Sequence, residues 1–223
     1  MIGTQNEGSL HASLKEYFRQ PGDIVEGSVD GYLIDLVQQD RLVEIQTKNF
    51  SSIKKKLSQL LENHRILLVY PISVRREIVR VAPETGELLS TRKSPKKGNI
   101  YDLFSELIRI PHLVMHPRLT VEAAFTIERE VRCDDGRGSW RRRGVSIVDR
   151  CLVEVVERRS FQTSADYLAL LPEGMPSPFT NRDLAGALRI PTSMAQKVTY
   201  TLKKAGLLEA VGKKGNEILH SII

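Results

Sequence analysis

The run at residues 32–48, YLIDLVQQDRLVEIQTK, constrains this chain more than any other, because its pattern is that of a β-hairpin with two acids facing each other. With Gln39 and Asp40 at the turn, Asp35 pairs with Glu44 and Leu33 with Gln46, and the two-residue period puts Glu44 and Gln46 on one face. Like charges opposed across a ladder are unfavourable. Ile34, Leu36, Val43 and Ile45 on one side, with Leu33, Val37 and Leu42 on the other, read as a strand pair buried on both faces, which deepens the cost. A shared proton or a cation between the carboxylates relieves it, and the pattern points to a divalent-metal site. The competing reading leaves one acid at a sheet edge in water, with Glu44 bonded to Arg41 or Lys48.

The order of elements around the hairpin adds to this. Leu10, Leu14, Tyr17 and Phe18 recur at helical spacing and Gln20-Pro21-Gly22 stops them. Three strand-like runs follow, DIVEGSV, YLIDLVQ and RLVEIQT, separated by short turns. After Asn49 a helix is expected on the stripe Phe50, Ile53, Leu57, Leu60 and Leu61, and then a buried strand at residues 66–70. The expected order is αβββαβ.

That order, with an acid on the second strand and Glu44-Ile45-Gln46 on the third, resembles the core of the PD-(D/E)XK nuclease superfamily, in particular its small Holliday-junction-resolvase type. By position Asp35 matches the motif Asp and Glu44 the motif Glu. Gln46 stands where most members carry Lys, and Glu7 could match an additional Glu found before the first helix in some members. The resemblance implies metal-assisted phosphodiester hydrolysis, with Asp35 and Glu44 holding Mg²⁺ or Mn²⁺ through hard oxygen ligands and Gln46 orienting a water. Lys48, Lys54 and Lys55 are the alternatives for the missing positive charge. His11, one helical turn from Glu7, is a further candidate, and Asp30 before Gly31 is the second choice for the motif Asp, although Asp-Gly is turn chemistry first. Many nucleases of this type act as dimers to cut both strands, so a homodimer is one option.

The last part of the chain, from Ser177, looks like a winged helix-turn-helix. Thr180 and Asp183 make a variant capping box before a helix at residues 184–188. A break at Arg189-Ile190-Pro191 leads to a second helix that Thr192 or Ser193 can cap, with Ala195, Val198 and Leu202 facing inward. Gly206 ends it, and a hairpin turning at residues 212–216 forms the wing. The resemblance implies a major-groove helix presenting Ser193, Gln196, Lys197, Tyr200 and Lys203, with Lys213 and Lys214 meeting phosphates.

Between these ends a hairpin is expected around a turn at residues 83–86, then a basic loop at 92–98, a helix at 100–109, a strand at 119–132, Trp140 with three arginines, one or two strands at 145–161 and a short helix at 164–171. The reading is an α/β (α+β) chain: a restriction-endonuclease-like domain at 1–82, a mixed middle region at 83–163 and a winged-helix domain at 164–223. A formal net charge of +6 suits an anionic partner, most readily DNA. The two cysteines lack metal spacing, so reduced thiols in a cytoplasm are expected, and no apolar run or leader pattern suggests a membrane. No Walker loop, dinucleotide fingerprint, HExxH or nucleophile elbow is present. Two functions compete: a Mg²⁺-dependent endodeoxyribonuclease directed to DNA by a winged helix, and a catalytically inactive nuclease-like protein that binds DNA or regulates.

Overall fold

Alternating apolar residues over residues 32–45 can hide one side only if something covers it, and the elements that follow supply the cover. The computed structural model describes residues 8–223. In chain order these form α1 (Ser9–Phe18), β1 (Ile24–Val29), β2 (Tyr32–Val37), β3 (Leu42–Ile45), α2 (Lys54–Leu60), β4 (Ile66–Val81), β5 (Leu88–Lys93), α3 (Phe104–Leu107) after a 3₁₀ turn at Ile100–Leu103, and β6 (Leu119–Cys133). After a 3₁₀ turn at Trp140–Arg142 come β7 (Ser146–Phe161), α4 (Ser164–Leu168), α5 (Asn181–Leu188), α6 (Thr192–Lys204), β8 (Leu208–Lys214) and β9 (Glu217–Ile222). The fold is α+β, with a seven-stranded mixed sheet in the order β1-β2-β3-β4-β6-β7, β5 added on β4, and a separate β8-β9 hairpin.

The chain divides into two compact units, each assembled from three stretches of sequence rather than from successive segments. The first takes the described residues up to Asp23 with Pro71–Asn99 and Ala124–Arg158; the second takes Ile24–Tyr70, Ile100–Ala123 and Arg159–Ile223. Strands β4, β6 and β7 therefore each give one end to either unit.

Within the second unit, β1, β2 and β3 form an antiparallel meander, and β3 then pairs in parallel with β4 after the α2 crossover. Parallel pairing needs such a crossover, because a short turn cannot bring the chain back to the same end of the sheet. Ile34, Leu36, Val43 and Ile45 are buried on one side of the hairpin. The other side departs from the expected double burial: Leu33 is 62% exposed, while Leu42 is only 4% exposed. On that side Lys56 of α2 reaches Glu44 and the Leu33 carbonyl, and Gln59 meets the Tyr32 hydroxyl. Phe50, just before α2, is fully buried, meets Tyr70 edge to face with ring centroids 5.6 Å apart, and has its amide held by Glu106 Oε2 at 2.8 Å.

Further along the second unit, Thr180 and Asp183 cap α5 reciprocally, as the sequence spacing predicts. Helix α6 differs from expectation: Pro191 is its N-cap, with no side-chain bond from Thr192 or Ser193 to the helix start. Proline suits this place because its missing N–H removes one donor that a helix start would otherwise have to satisfy. Gly206, at φ +77°, turns the chain out of α6 into β8.

The first unit is held by buried charge. Glu130 receives Arg132 at 2.6 Å, Arg150 at 3.0 Å and Arg76 at 3.4 Å, and Arg76 also reaches Glu128 at 2.8 Å. Burial pushes the Glu130 carboxyl up, but the Arg132 hydrogen bond and the charges of Arg150, Arg132 and Arg76 together hold it below the usual carboxylate range. These acids are consumed by structure. Among the described residues no helix is long and apolar enough to cross a membrane.

Candidate active site

Register brings the two acids of the hairpin together. Leu36 pairs with Val43 and Val37 with Leu42, so the next position outward sets Asp35 opposite Glu44, as the alternation implies. The Asp35 carboxylate is fixed by the Ile45 amide, which donates to Oδ2 at 2.8 Å. Glu44 is 4% exposed. Its carboxyl is raised from 4.5 to about 7, first by burial and then by the Asp35 charge, against the opposing pull of Lys56.

Lys56, not among the lysines singled out from the sequence, is the one that meets the pair. Its Nζ stands 2.5 Å from Glu44 Oε1 and also donates to the Leu33 carbonyl oxygen. At that distance the ammonium engages the buried Oε1 directly, and its charge and hydrogen bond both pull the Glu44 carboxyl down. The clue lay in helical spacing: Lys56 is three residues after Ile53 and four before Leu60, on the stripe that faces the sheet. Spacing alone also allows Lys54, four residues after Phe50 and three before Leu57, but Lys54, Lys55 and Lys48 are exposed.

Gln46 turns elsewhere. Its Nε2 donates to the Lys48 carbonyl at 2.8 Å and lies 3.3 Å from Ser52 Oγ, which ties the strand end to the loop before α2. Asp30, the second choice for the motif Asp, pairs with His64 Nε2 at 2.8 Å in its turn. Glu7 lies outside the described residues, and His11 sits on α1 in the other unit. Asp35 and Glu44 thus stand as a pair, with no cluster of three or more His, Cys, Asp or Glu suited to a metal among the described residues. Such a pair is too poor for zinc, which takes three or four protein ligands. It suits Mg²⁺, which keeps several waters and commonly takes one or two carboxylates plus a phosphate. The two facing carboxylates fit a hard cation, which would displace Lys56 from Glu44 Oε1.

On α6, Ser193 and Gln196 are exposed, Tyr200 is 42% exposed and Lys203 is half-buried. Lys197 does not join this face freely, because its Nζ donates to Oγ of Ser105 on α3 at 3.0 Å. Lys213 and Lys214 are exposed on the β8-β9 hairpin, opposite Ile218 and Glu217. In the first unit Trp140 is 82% exposed, with the Arg141 guanidinium 5.5 Å from its ring centroid.

Residues 8–162 match the family model described as a domain of unknown function, DUF8091. The chain belongs to the DUF8091 family. An uncharacterized protein of Treponema pallidum (strain Nichols) is 34% identical over 185 residues, covering 82% of this chain and 73% of that relative. No solved structure matches. Asp35, Glu44 and Lys56 lie inside the DUF8091 match, whereas α4 to β9 lie beyond it.

Proposed function

We propose that this DUF8091 protein is a metal-dependent nuclease that hydrolyses phosphodiester bonds of DNA. Supporting this most directly is the convergence of Asp35 and Glu44 on paired strands beneath Lys56. The α1-β1-β2-β3-α2-β4 order, with β3 parallel to β4, agrees with the PD-(D/E)XK resemblance. Asp35 and Glu44 would hold Mg²⁺ or Mn²⁺, and the ion when bound would supply phosphate polarisation and a lowered pKa for the attacking water. The Ile45 amide keeps Asp35 from rotating away. Lys56 brings from the helix the charge that Gln46 cannot bring from the strand, beside the negative charge that develops on the phosphate. The same lysine balances Glu44.

The C-terminal elements α5, α6, β8 and β9 act as a winged helix that positions DNA. The support is the helix-break-helix run with an exposed Ser193, Gln196 and Tyr200 and a lysine-tipped hairpin. Because Lys197 is engaged by Ser105, the polar and aromatic residues of that face carry the contact, with Lys213 and Lys214 on phosphates.

Metal must displace a proton from Glu44 below its pKa of about 7, so apparent Mg²⁺ affinity falls by roughly tenfold per pH unit beneath that value. Plasmid nicking by the full chain should therefore need Mg²⁺ or Mn²⁺, stop with EDTA, and at subsaturating metal rise between about pH 6 and 8. Plasmid left intact with both ions across that range would overturn the nuclease reading.

A further inference from the structure

Arg41, Arg65 and Arg118 each occupy the position immediately before a strand, preceding Leu42 of β3, Ile66 of β4 and Leu119 of β6. These strands are neighbours in the sheet, and the backbone ties the three starts together: Leu42 N donates to Arg65 O at 2.8 Å and Ile66 N to Arg118 O at 2.8 Å. Three residues far apart in sequence thus form a row along one end of the sheet. They line two adjoining cavities of about 300 and 390 Å³ that share Asp40, Arg41, Arg65 and Arg118.

Charge in this row is held in place without being neutralised. Arg41 Nε donates to Gln38 Oε1 at 2.9 Å, and Gln38 is itself 7% exposed. Arg118 donates to the carbonyl oxygens of Leu61, at 3.2 Å, and Glu62. The Arg65 side chain has no partner among the described residues. None of the three pairs with a carboxylate among the described residues, although Asp40 also lines both cavities, and His64, nearby, is occupied by Asp30. Guanidiniums fixed by neutral acceptors keep their charge and their outward N–H groups for a bidentate anion.

The second cavity is lined by Val37 and Leu42, on the sheet face that carries Asp35 and Glu44. Leu42 is two steps from Glu44, about 7 Å along a strand, and DNA advances about 3.4 Å per nucleotide along each strand. We infer that Arg41, Arg65 and Arg118 form a phosphate subsite that grips the DNA strand a few nucleotides from the bond cut at Asp35 and Glu44. The inference rests on the nuclease reading for its placement, while the subsite itself is tested without metal.

The test is binding of a short fluorescent DNA duplex to the full chain in EDTA, followed by anisotropy between about 50 and 200 mM salt. Arg65→Ala should weaken binding by roughly tenfold at the low-salt end and make the salt slope shallower by about one, and Arg65→Glu should weaken it further. The exposed Arg65 side chain makes no hydrogen bond or ion pair among the described residues, so both variants should keep the wild-type melting temperature. Parallel salt plots for wild type and both variants would overturn the subsite even where metal-dependent cleavage is present. Weakened binding in a chain that never cleaves would support the subsite and sink the nuclease reading. Arg65-dependent binding of inorganic pyrophosphate with duplex affinity unchanged would overturn the strand assignment in favour of a free anion.

Discussion

Glu44→Gln and Asp35→Asn should each lower metal-dependent DNA cleavage by on the order of 10³-fold or more, because each removes a charged ligand while nearly preserving shape. The amide introduced by Asp35→Asn would keep an oxygen for the Ile45 N–H, so the hairpin should persist. For Glu44 the sign of the stability change separates lost chemistry from lost fold. Folding raises its pKa from 4.5 to about 7, so the folded chain holds that proton more tightly than the unfolded one. The associated stability is full below pH 4.5 and is lost as pH rises through 7, a difference of about 3 kcal/mol. The neutral glutamine side chain carries no such penalty, though it leaves Lys56 without its counter-charge and so recovers only part of it. Glu44→Gln should melt no lower than wild type at about pH 8, with a flatter dependence on pH, and yet be inactive. Cleavage unchanged in both variants would remove Asp35 and Glu44 from the chemistry.

Lys56→Met should cost about 10²- to 10³-fold in kcat, the usual scale for deleting one preorganised positive group at a developing charge. A structural role predicts something else. If Lys56 only balances Glu44, its loss raises the carboxyl further and weakens metal binding, so saturating Mg²⁺ or higher pH should restore the rate. In the proposed mechanism kcat stays low at saturating metal and at about pH 8, and Lys56→Arg, which keeps the charge, recovers part of it. Full recovery of Lys56→Met by metal would reduce the lysine to a counter-ion. Gln46→Ala should have a much smaller effect, since Gln46 is spent on Lys48 and Ser52.

What the sequence made legible was local and periodic. Asp35 opposite Glu44 followed from a two-residue period and a short turn, which leave one register that buries Ile34, Leu36, Val43 and Ile45. Thr180 with Asp183 was readable because a capping box spans only three residues. Lys56 was hidden among three consecutive lysines, and only the phase of the helix against the sheet distinguishes it from Lys54 and Lys55. The exposure of Leu33 was not readable, because alternation alone does not say which face is left open. The row Arg41, Arg65 and Arg118 was invisible for a deeper reason: each looks like an ordinary charge before an apolar run until the pairing of β3, β4 and β6 aligns them.

The chain's central feature is a pair of carboxylates with an aliphatic surround and a single lysine reaching in from α2, and the direct test is crystallographic. Crystals of the full chain soaked in Mn²⁺ should give an anomalous peak bonded to both Asp35 and Glu44, with Lys56 withdrawn from Oε1, and Glu44→Gln should lose that peak. Mn²⁺ absent from the pair, with Lys56 still seated on Glu44 at the same soak, would contradict the account.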